Sequence, residues 1–277
     1  MPPEYLARLF QQRSQARVIR FEEQPVPESS VDDLSEDLWA KYTTRSDEPD
    51  DLVLLKRGLL SRDETGTVRA SVAGVLFCCE EPERFLSNAY IEAVRYRGTF
   101  QDSNYQIDAR KIRGPLNRQI DQAMDFLWRN QTVSAVKKPH RVETWQFGER
   151  AVLEAIVNAV AHRDYSVSVS KIRFFMFDDR MEIYSPGALP NTVTVDSLAL
   201  RQATRNELIT SLLAETPVAD APRNGGRGFY MEKRGDGVPI ILGVSEKLAK
   251  RKPEYRLIDD SELLLTIYSA MPAGDKE

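Results

Sequence analysis

Cysteine is nearly absent: 277 residues hold two, adjacent at Cys78 and Cys79. Adjacent cysteines rarely pair with each other, and no second pair completes a zinc site, so both read as reduced core thiols. No Gly-x-x-x-x-Gly-Lys stretch occurs, which excludes a P-loop ATPase and with it a helicase motor in this chain. No run approaches the roughly 18 apolar residues of a membrane span, and the opening Met1-Pro2-Pro3-Glu4-Tyr5 lacks the charged-then-apolar layout of a secretory signal. A surplus of positive charge is missing too. Lys and Arg number 38 against 42 Asp and Glu, a formal charge of -4, so contact with nucleic acid would need a local basic patch. A cytoplasmic protein with no membrane partner is expected.

What remains is an ordinary globular composition, 42% hydrophobic and 29% charged, in a chain long enough for two domains. One stretch organises it: residues 147–165, Phe-Gly-Glu-Arg-Ala-Val-Leu-Glu-Ala-Ile-Val-Asn-Ala-Val-Ala-His-Arg-Asp-Tyr. Wound as a helix, it places Val152, Leu153, Ile156, Val157 and Val160 on a broad apolar arc and Glu154, Asn158 and His162 in a polar stripe. Ala151, Ala155, Ala159 and Ala161 beside the stripe are small where an exposed helix would carry long charged side chains. An acid and an amide one turn apart can divide the labour of phosphate hydrolysis, the amide oxygen holding a hard cation and the carboxylate orienting a water. By spacing alone, an amphipathic helix with a few polar residues at a domain surface has the same pattern.

Before this stretch, residues 4–13 read as a helix, residues 18–21 as a brief extended piece, and Leu34, Leu38, Trp39 and Tyr42 recur at helical spacing. A further helix fits residues 50–60. The small, apolar segment 68–77 and the alternating segment 89–96 read as strands. Helices, a turn and strands in this order are winged-helix-like in outline, although no basic recognition helix stands out. Residues 115–130 carry Leu116, Ile120, Ala123, Met124 and Leu127 at helical spacing, and Lys137-Lys138-Pro139-His140 then breaks the pattern as a polar linker. His140 is not expected to be catalytic.

Beyond the central stretch, segments 169–177 and 181–184 alternate around Asp178-Asp179-Arg180, a hairpin signal, with Ile172, Phe174 and Met176 facing one way. A helix followed by an antiparallel hairpin points to a layered α+β domain. Ser185-Pro186-Gly187 closes the strand with a turn in which Gly187 can offer bare backbone to a ligand. Another helix starts near Thr204-Arg205-Asn206, the stretch Asn224-Gly225-Gly226-Arg227-Gly228 reads as loose, and Gly235-Asp236-Gly237 leads into the apolar Ile240-Ile241-Leu242 of a helix. Amides exposed at such a turn form a natural anion seat. Strands at 255–258 and 263–268 around Asp259-Asp260 finish the chain. The basic run Lys247, Lys250, Arg251, Lys252 and Arg256 reads as a solvated face or a nucleic-acid contact. His162 reads either as a cap for helix-end carbonyls or as a phosphate or proton contact.

Taken together, Glu154-Ala-Ile-Val-Asn158-Ala-Val-Ala-His162-Arg163-Asp164-Tyr165, Phe177-Asp178-Asp179-Arg180-Met181-Glu182-Ile183-Tyr184-Ser185-Pro186-Gly187, Thr204-Arg205-Asn206 and Gly235-Asp236-Gly237 resemble the C-terminal ATPase-type domain of bacterial transcriptional regulators of the RecG-like, helicase-related type. Such proteins usually carry a Schlafen-type AlbA-like domain at the N-terminus. Phe21-Glu22-Glu23-Gln24-Pro25-Val26 and Val72-Ala73-Gly74-Val75-Leu76-Phe77 extend the resemblance to the first half. It implies a helical, winged-helix-like part at residues 1–104, then a GHKL-like (Bergerat-type) α/β sandwich with a mixed or antiparallel sheet at 105–277. It further implies ATP and Mg2+ as cofactors: Glu154 as the catalytic, water-activating residue, Asn158 as the magnesium ligand, and Asn158, His162, Gly187, Gly235 and Gly237 around the nucleotide. The expected function is ATP binding, with or without hydrolysis, in a DNA-binding regulator. The alternative is a non-hydrolysing regulatory or dimerisation module with a degenerate site. Two departures bear on this choice: the Asp-x-Gly-x-Gly adenine box is replaced by Tyr184-Ser185-Pro186-Gly187-Ala188, and the chain starts where an AlbA-like domain would have ended, as in a fragment or a member that lost it. DNA contact is therefore expected through that domain or the N-terminal part, and a homodimer is an expected assembly.

Overall fold

The computed structural model describes residues 20–43, 48–138, 140–190, 193–201, 203–218, 228–232 and 235–270. The helix expected at 4–13, the start of the extended piece at 18–21 and the loose stretch from Asn224 to Arg227 lie outside the described residues.

In the described N-terminal part, 3-10 turns at Phe21–Glu23 and Val31–Asp33 precede a single-turn helix α1 (Glu36–Trp39) and α2 (Asp50–Lys56), followed by the short strands β1 (Leu60–Arg62) and β2 (Val68–Ala70), which pair antiparallel. Helix α2 stops before residue 60 because Gly58 takes a left-handed φ of 73° and turns the chain into β1. The segment expected as a strand at 68–77 divides. After β2, Ser71 caps a helix α3 (Val72–Cys78), its hydroxyl accepting from the Gly74 amide at 2.9 Å. Gly74 lets this helix lie on the carbonyl of Leu59, which a Cβ would meet at 2.0 Å. Every residue of α3 is buried, so its uniformly apolar sequence has no helical stripe to distinguish it from a buried strand.

The rest is built on six strands: β3 (Ile91–Tyr96), β4 (Gln106–Ile112), β7 (Ile172–Met176), β8 (Arg180–Pro186), β9 (Glu254–Ile258) and β10 (Glu262–Tyr268), in the order β4-β3-β7-β8-β10-β9. Only β3 and β7 run parallel, so the sheet is mixed and the class is α+β. Residue 104 falls between β3 and β4, inside this sheet, so the six strands draw on residues from both sides of that position. Two strands between the helices, β5 (Val133–Lys138) and β6 (His140–Trp145), pair among the described residues only with each other. The stretch around Lys137 expected as a polar linker is thus the far end of a β-ribbon. Its strand formers Val133, Val136, Val142, Thr144 and Trp145 are spread over two short runs that show little alternation on their own.

Helix α4 (Leu116–Asn130), α5 (Glu149–His162) and α7 (Gly237–Ala249) cover one face of the sheet, with α5 between the other two. The apolar arc of α5 is buried as the periodicity predicts: Val152, Leu153, Ile156, Val157 and Val160 join Ile172, Phe174, Met176, Met181, Ile183, Leu265 and Ile267 in one core. Each such side chain contributes about 1.5–3 kcal/mol by leaving water. Phe175 and Phe177 lie in a separate cluster with Val94 and Tyr96, as strand alternation requires of residues facing the other way. Helix α6 (Glu207–Glu215) runs between the N-terminal part and α5. Among the described residues no helix is long and apolar enough to cross a membrane.

Candidate functional site

Glu154, Asn158 and His162, one turn apart along α5, line a single cavity of about 510 Å³. Ser185 and Gly187 at the end of β8 form a second wall, Gly235 to Gly237 at the start of α7 a third, and Leu189, Val193, Arg201, Arg205 and Glu207 are among the residues that complete the lining. All six residues expected at the site are therefore brought to one hollow. The small side chains noticed beside the stripe divide: Ala155 and Ala159 line the cavity, whereas Ala151 and Ala161 are packed in the core.

The glycines at this cavity mark close approaches. A Cβ built on Gly237 would meet Nδ2 of Asn158 at 2.9 Å and Oε2 of Glu154 at 3.2 Å, so the first residue of α7 rests against the acid-amide pair. The positive end of a helix is thus turned toward a carboxylate that is only 3% exposed. Gly148 permits the partner approach at the start of α5, where a Cβ would meet Cγ1 of Val244 at 2.9 Å. Gly187 has a φ of 120°, and a Cβ there would fall 2.7 Å from that of Asp164.

Asp164 holds this corner together. Its amide donates to the Pro186 carbonyl at 2.8 Å, and its carboxylate accepts from Nη1 of Arg205 at 2.7 Å and from the Ser166 amide at 3.0 Å. The other arm of Arg205 reaches the Ala188 carbonyl, so one guanidinium ties the entry and exit of the segment 188–205 to the end of α5. Next to it, buried Asn206 donates to the carbonyls of Ala161 and Arg163 at 2.9 and 2.8 Å and satisfies the C-terminal end of α5. His162 therefore does not serve as the cap of that end. Burial, assisted by the positive charge of Arg205, pulls its imidazole down to about 4, leaving it neutral at pH 7.

Spacing could not find Tyr255 on β9, Arg205 or the role of Asp164. Tyr255 lines the cavity, and its phenol is pushed well above the usual tyrosine range by burial and by the nearby Glu154 carboxylate. The described wall carries Glu154, Glu207, Glu232 and Asp236 against two cationic residues, Arg201 and Arg205. A polyanion entering such a wall needs a cation with it. Among the described residues no three His, Cys, Asp or Glu gather to hold a metal by themselves. Magnesium bound with a phosphate ligand needs only one or two protein oxygens, so Asn158 and the cavity fit that use.

Helix α6 joins this cavity to the N-terminal part. Glu207 borders the cavity and pairs with Arg20 at 2.5 Å, Leu208 packs on Gly58, Glu215 pairs with Arg57, and the Tyr42 hydroxyl meets that of Thr216 at 2.8 Å.

The fold is thus a mixed sheet covered on one face by helices, with a cavity lined by α5, the end of β8 and the start of α7. Residues 170–267 match the family described as "Putative ATP-dependent DNA helicase recG C-terminal", which supports a RecG-like ATPase-type domain in the C-terminal part. The match takes in Gly187, Gly235 and Gly237, while Glu154, Asn158 and His162 precede it. Among solved structures the chain is similar to the crystal structure of the DIP2311 protein from Corynebacterium diphtheriae, with a TM-score of 0.65 and 18% identity, over 94% of this chain and 50% of that one. The likeness is one of fold, and this chain spans about half the length of that protein. No curated protein sequence matches it significantly.

Proposed function

We propose that the cavity binds ATP with magnesium and that the chain is the nucleotide-responsive part of a DNA-linked regulator. One observation carries this reading: an acid and an amide on α5 face the same hollow as the glycine turn that opens α7. The RecG-like family match supports an ATP ligand, and the helix layer on a mixed sheet suits a GHKL-like (Bergerat-type) sandwich. In this reading the Asn158 side-chain oxygen holds the cation, and the α7 amides beyond Gly235 and Gly237 face the phosphates. Gly187 gives the base side of the ligand access to backbone, and neutral His162 offers a hydrogen bond without charge. Glu154 takes the proton of the attacking water, a contribution typically worth about 10² to 10⁴ in rate. Magnesium, when bound, neutralises phosphate charge that the acidic wall would otherwise repel.

Nucleotide occupancy is passed on through α6, which borders the cavity at Glu207 and packs at its other end on Tyr42 and Arg57. The helices α2 and α3 around the β1–β2 hairpin then act as the winged-helix-like receiver of that signal, in a cytoplasmic protein that works as a homodimer or beside an AlbA-like DNA-binding domain.

A second reading, a regulatory or dimerisation module that does not hydrolyse, draws support from the corner at Gly187. The carboxylate adjoining it, Asp164, is already engaged by Arg205, and Ser185 donates to the Ala159 carbonyl at 3.0 Å. No carboxylate stands in the motif to accept an adenine amino proton. Calorimetric titration with ATP, ADP and GTP, with and without magnesium, decides between them. The ATPase reading expects magnesium-dependent binding of ATP and release of phosphate. Binding without phosphate release favours the module, and silence below about millimolar sinks the nucleotide site altogether.

A further inference from the structure

The β5–β6 ribbon has no part in the nucleotide reading, and its composition runs against that of the chain. Register pairs Lys137 with Arg141 and Lys138 with His140, so residues of basic type close its far end in a protein whose formal charge is -4. The near end is fixed. Buried Gln146 bridges the strands at their root, its amide donating to the Thr132 carbonyl at 2.9 Å and its side-chain oxygen accepting from the Thr132 amide at 3.1 Å. The same side chain donates to the carbonyls of Phe177 and Asp178 at 3.3 and 3.0 Å, and the backbone carbonyl of Gln146 accepts from the Ala270 amide at 2.9 Å. The ribbon is thus anchored to the end of the main sheet at one end and hydrogen-bonded to no third strand among the described residues. At the root, the cross-strand pair Val133 and Trp145 is 39% and 40% exposed, an apolar and aromatic surface at the opposite end of the ribbon from its basic residues.

We propose that this ribbon is a duplex-DNA-binding arm. Six residues per strand span about 20 Å at roughly 3.3 Å each, and two strands lie about 4.8 Å apart. The major groove of B-DNA, about 12 Å wide, admits such a two-stranded ribbon. Lys137, Lys138 and Arg141 then meet phosphates. Three such contacts give a slope of log affinity against log salt of about -2.7, or about 40-fold weaker binding between 50 and 200 mM salt. Contact is phosphate-led and tolerant of sequence, because lysines and arginines on the backbone position a protein without reading bases.

The test is fluorescence anisotropy of the full chain with a labelled 20-base-pair duplex at 50 mM salt and without nucleotide, so that failure of the nucleotide site leaves the outcome untouched. Lys137→Ala/Lys138→Ala/Arg141→Ala is expected to weaken binding at least tenfold and to flatten the salt slope by about 2 to 3. Lys137→Gln/Lys138→Gln/Arg141→Gln, which removes the charge but keeps polar side chains at the ribbon end, must do the same with an unchanged thermal midpoint. Lys247→Ala/Lys250→Ala/Lys252→Ala removes equal charge from the end of α7 and is expected to leave binding within twofold. Equal losses in the ribbon and α7 variants, no loss in either, or no wild-type binding at 50 mM salt would each overturn the proposal. So would tighter binding to a single strand, an RNA hairpin or phosphatidylserine vesicles than to the duplex.

Discussion

Gly237 and Asn158 touch without room for a methyl group between them: a Cβ on the glycine would sit 2.9 Å from the amide nitrogen. Gly237 opens α7, and its φ is not in the left-handed region, so alanine can adopt the same backbone. Gly237→Ala should therefore leave folding stability within about 1 kcal/mol, alanine being the better helix former by that amount. The cost falls on the site, where Asn158 and Glu154 must shift away from α7. ATP affinity is expected to drop tenfold or more by calorimetry, and a variant that binds as the parent does would separate this contact from ligand binding.

Glu154 and Asn158 make opposite predictions although they share a helix face. Removing the proton acceptor alters the chemical step, so Glu154→Gln should lower phosphate release by about 10² to 10⁴ while ATP still binds. Removing the amide oxygen alters cation handling, so Asn158→Ala should abolish the difference between titrations with and without magnesium. If Asn158→Ala keeps the full magnesium dependence, the metal role belongs to another residue.

The acid side of the stability curve reports on His162. Its folded-state value of about 4 lies below the ordinary 6.5, so in this range the unfolded chain binds the proton more readily than the folded one. Stability is unaffected above pH 6.5 and is lost as pH falls from about 6.5 toward about 4, by up to about 3 kcal/mol at about 1.4 kcal/mol per unit. Urea midpoints measured between pH 7 and pH 4 should show this fall, and His162→Gln should remove most of it. An unchanged profile in the variant would mean that other groups carry the acid sensitivity.

The parts legible in the sequence were those with a strong period or a single-helix spacing. Helices α4 and α5 bury their apolar positions, and β7, β8, β9 and β10 fall where alternation and the Asp178-Asp179-Arg180 and Asp259-Asp260 turns place them. Strand β4 could not be read in this way: it is an edge strand exposed along most of its length, so Gln-Ile-Asp-Ala-Arg-Lys-Ile shows no apolar face. Site residues followed the same rule. Glu154, Asn158 and His162 are visible because α5 alone sets their spacing. Arg205 reaches Asp164 across 41 positions, and Tyr255 comes from an edge strand, relations that exist only once the sheet has formed.

Gly187 offers the counterpart to Gly237, because there the backbone itself forbids a side chain. Its φ of 120° is unfavourable to any L-residue, and a Cβ would fall 2.7 Å from that of Asp164. Strain of about 1–3 kcal/mol and a comparable packing penalty both apply, so Gly187→Ala should cost about 2–5 kcal/mol in urea unfolding. The displaced Asp164 would also release Arg205 and with it the segment 188–205. Arg205→Ala breaks the same tie without touching the backbone. It should cost only about 1 kcal/mol, since both partners of the pair keep some contact with water. Limited proteolysis then distinguishes the two effects. If Arg205 holds the segment, Arg205→Ala is cut within 188–205 faster than the parent while its urea midpoint barely moves, and cleavage at the parental rate would show that the segment is held by something else.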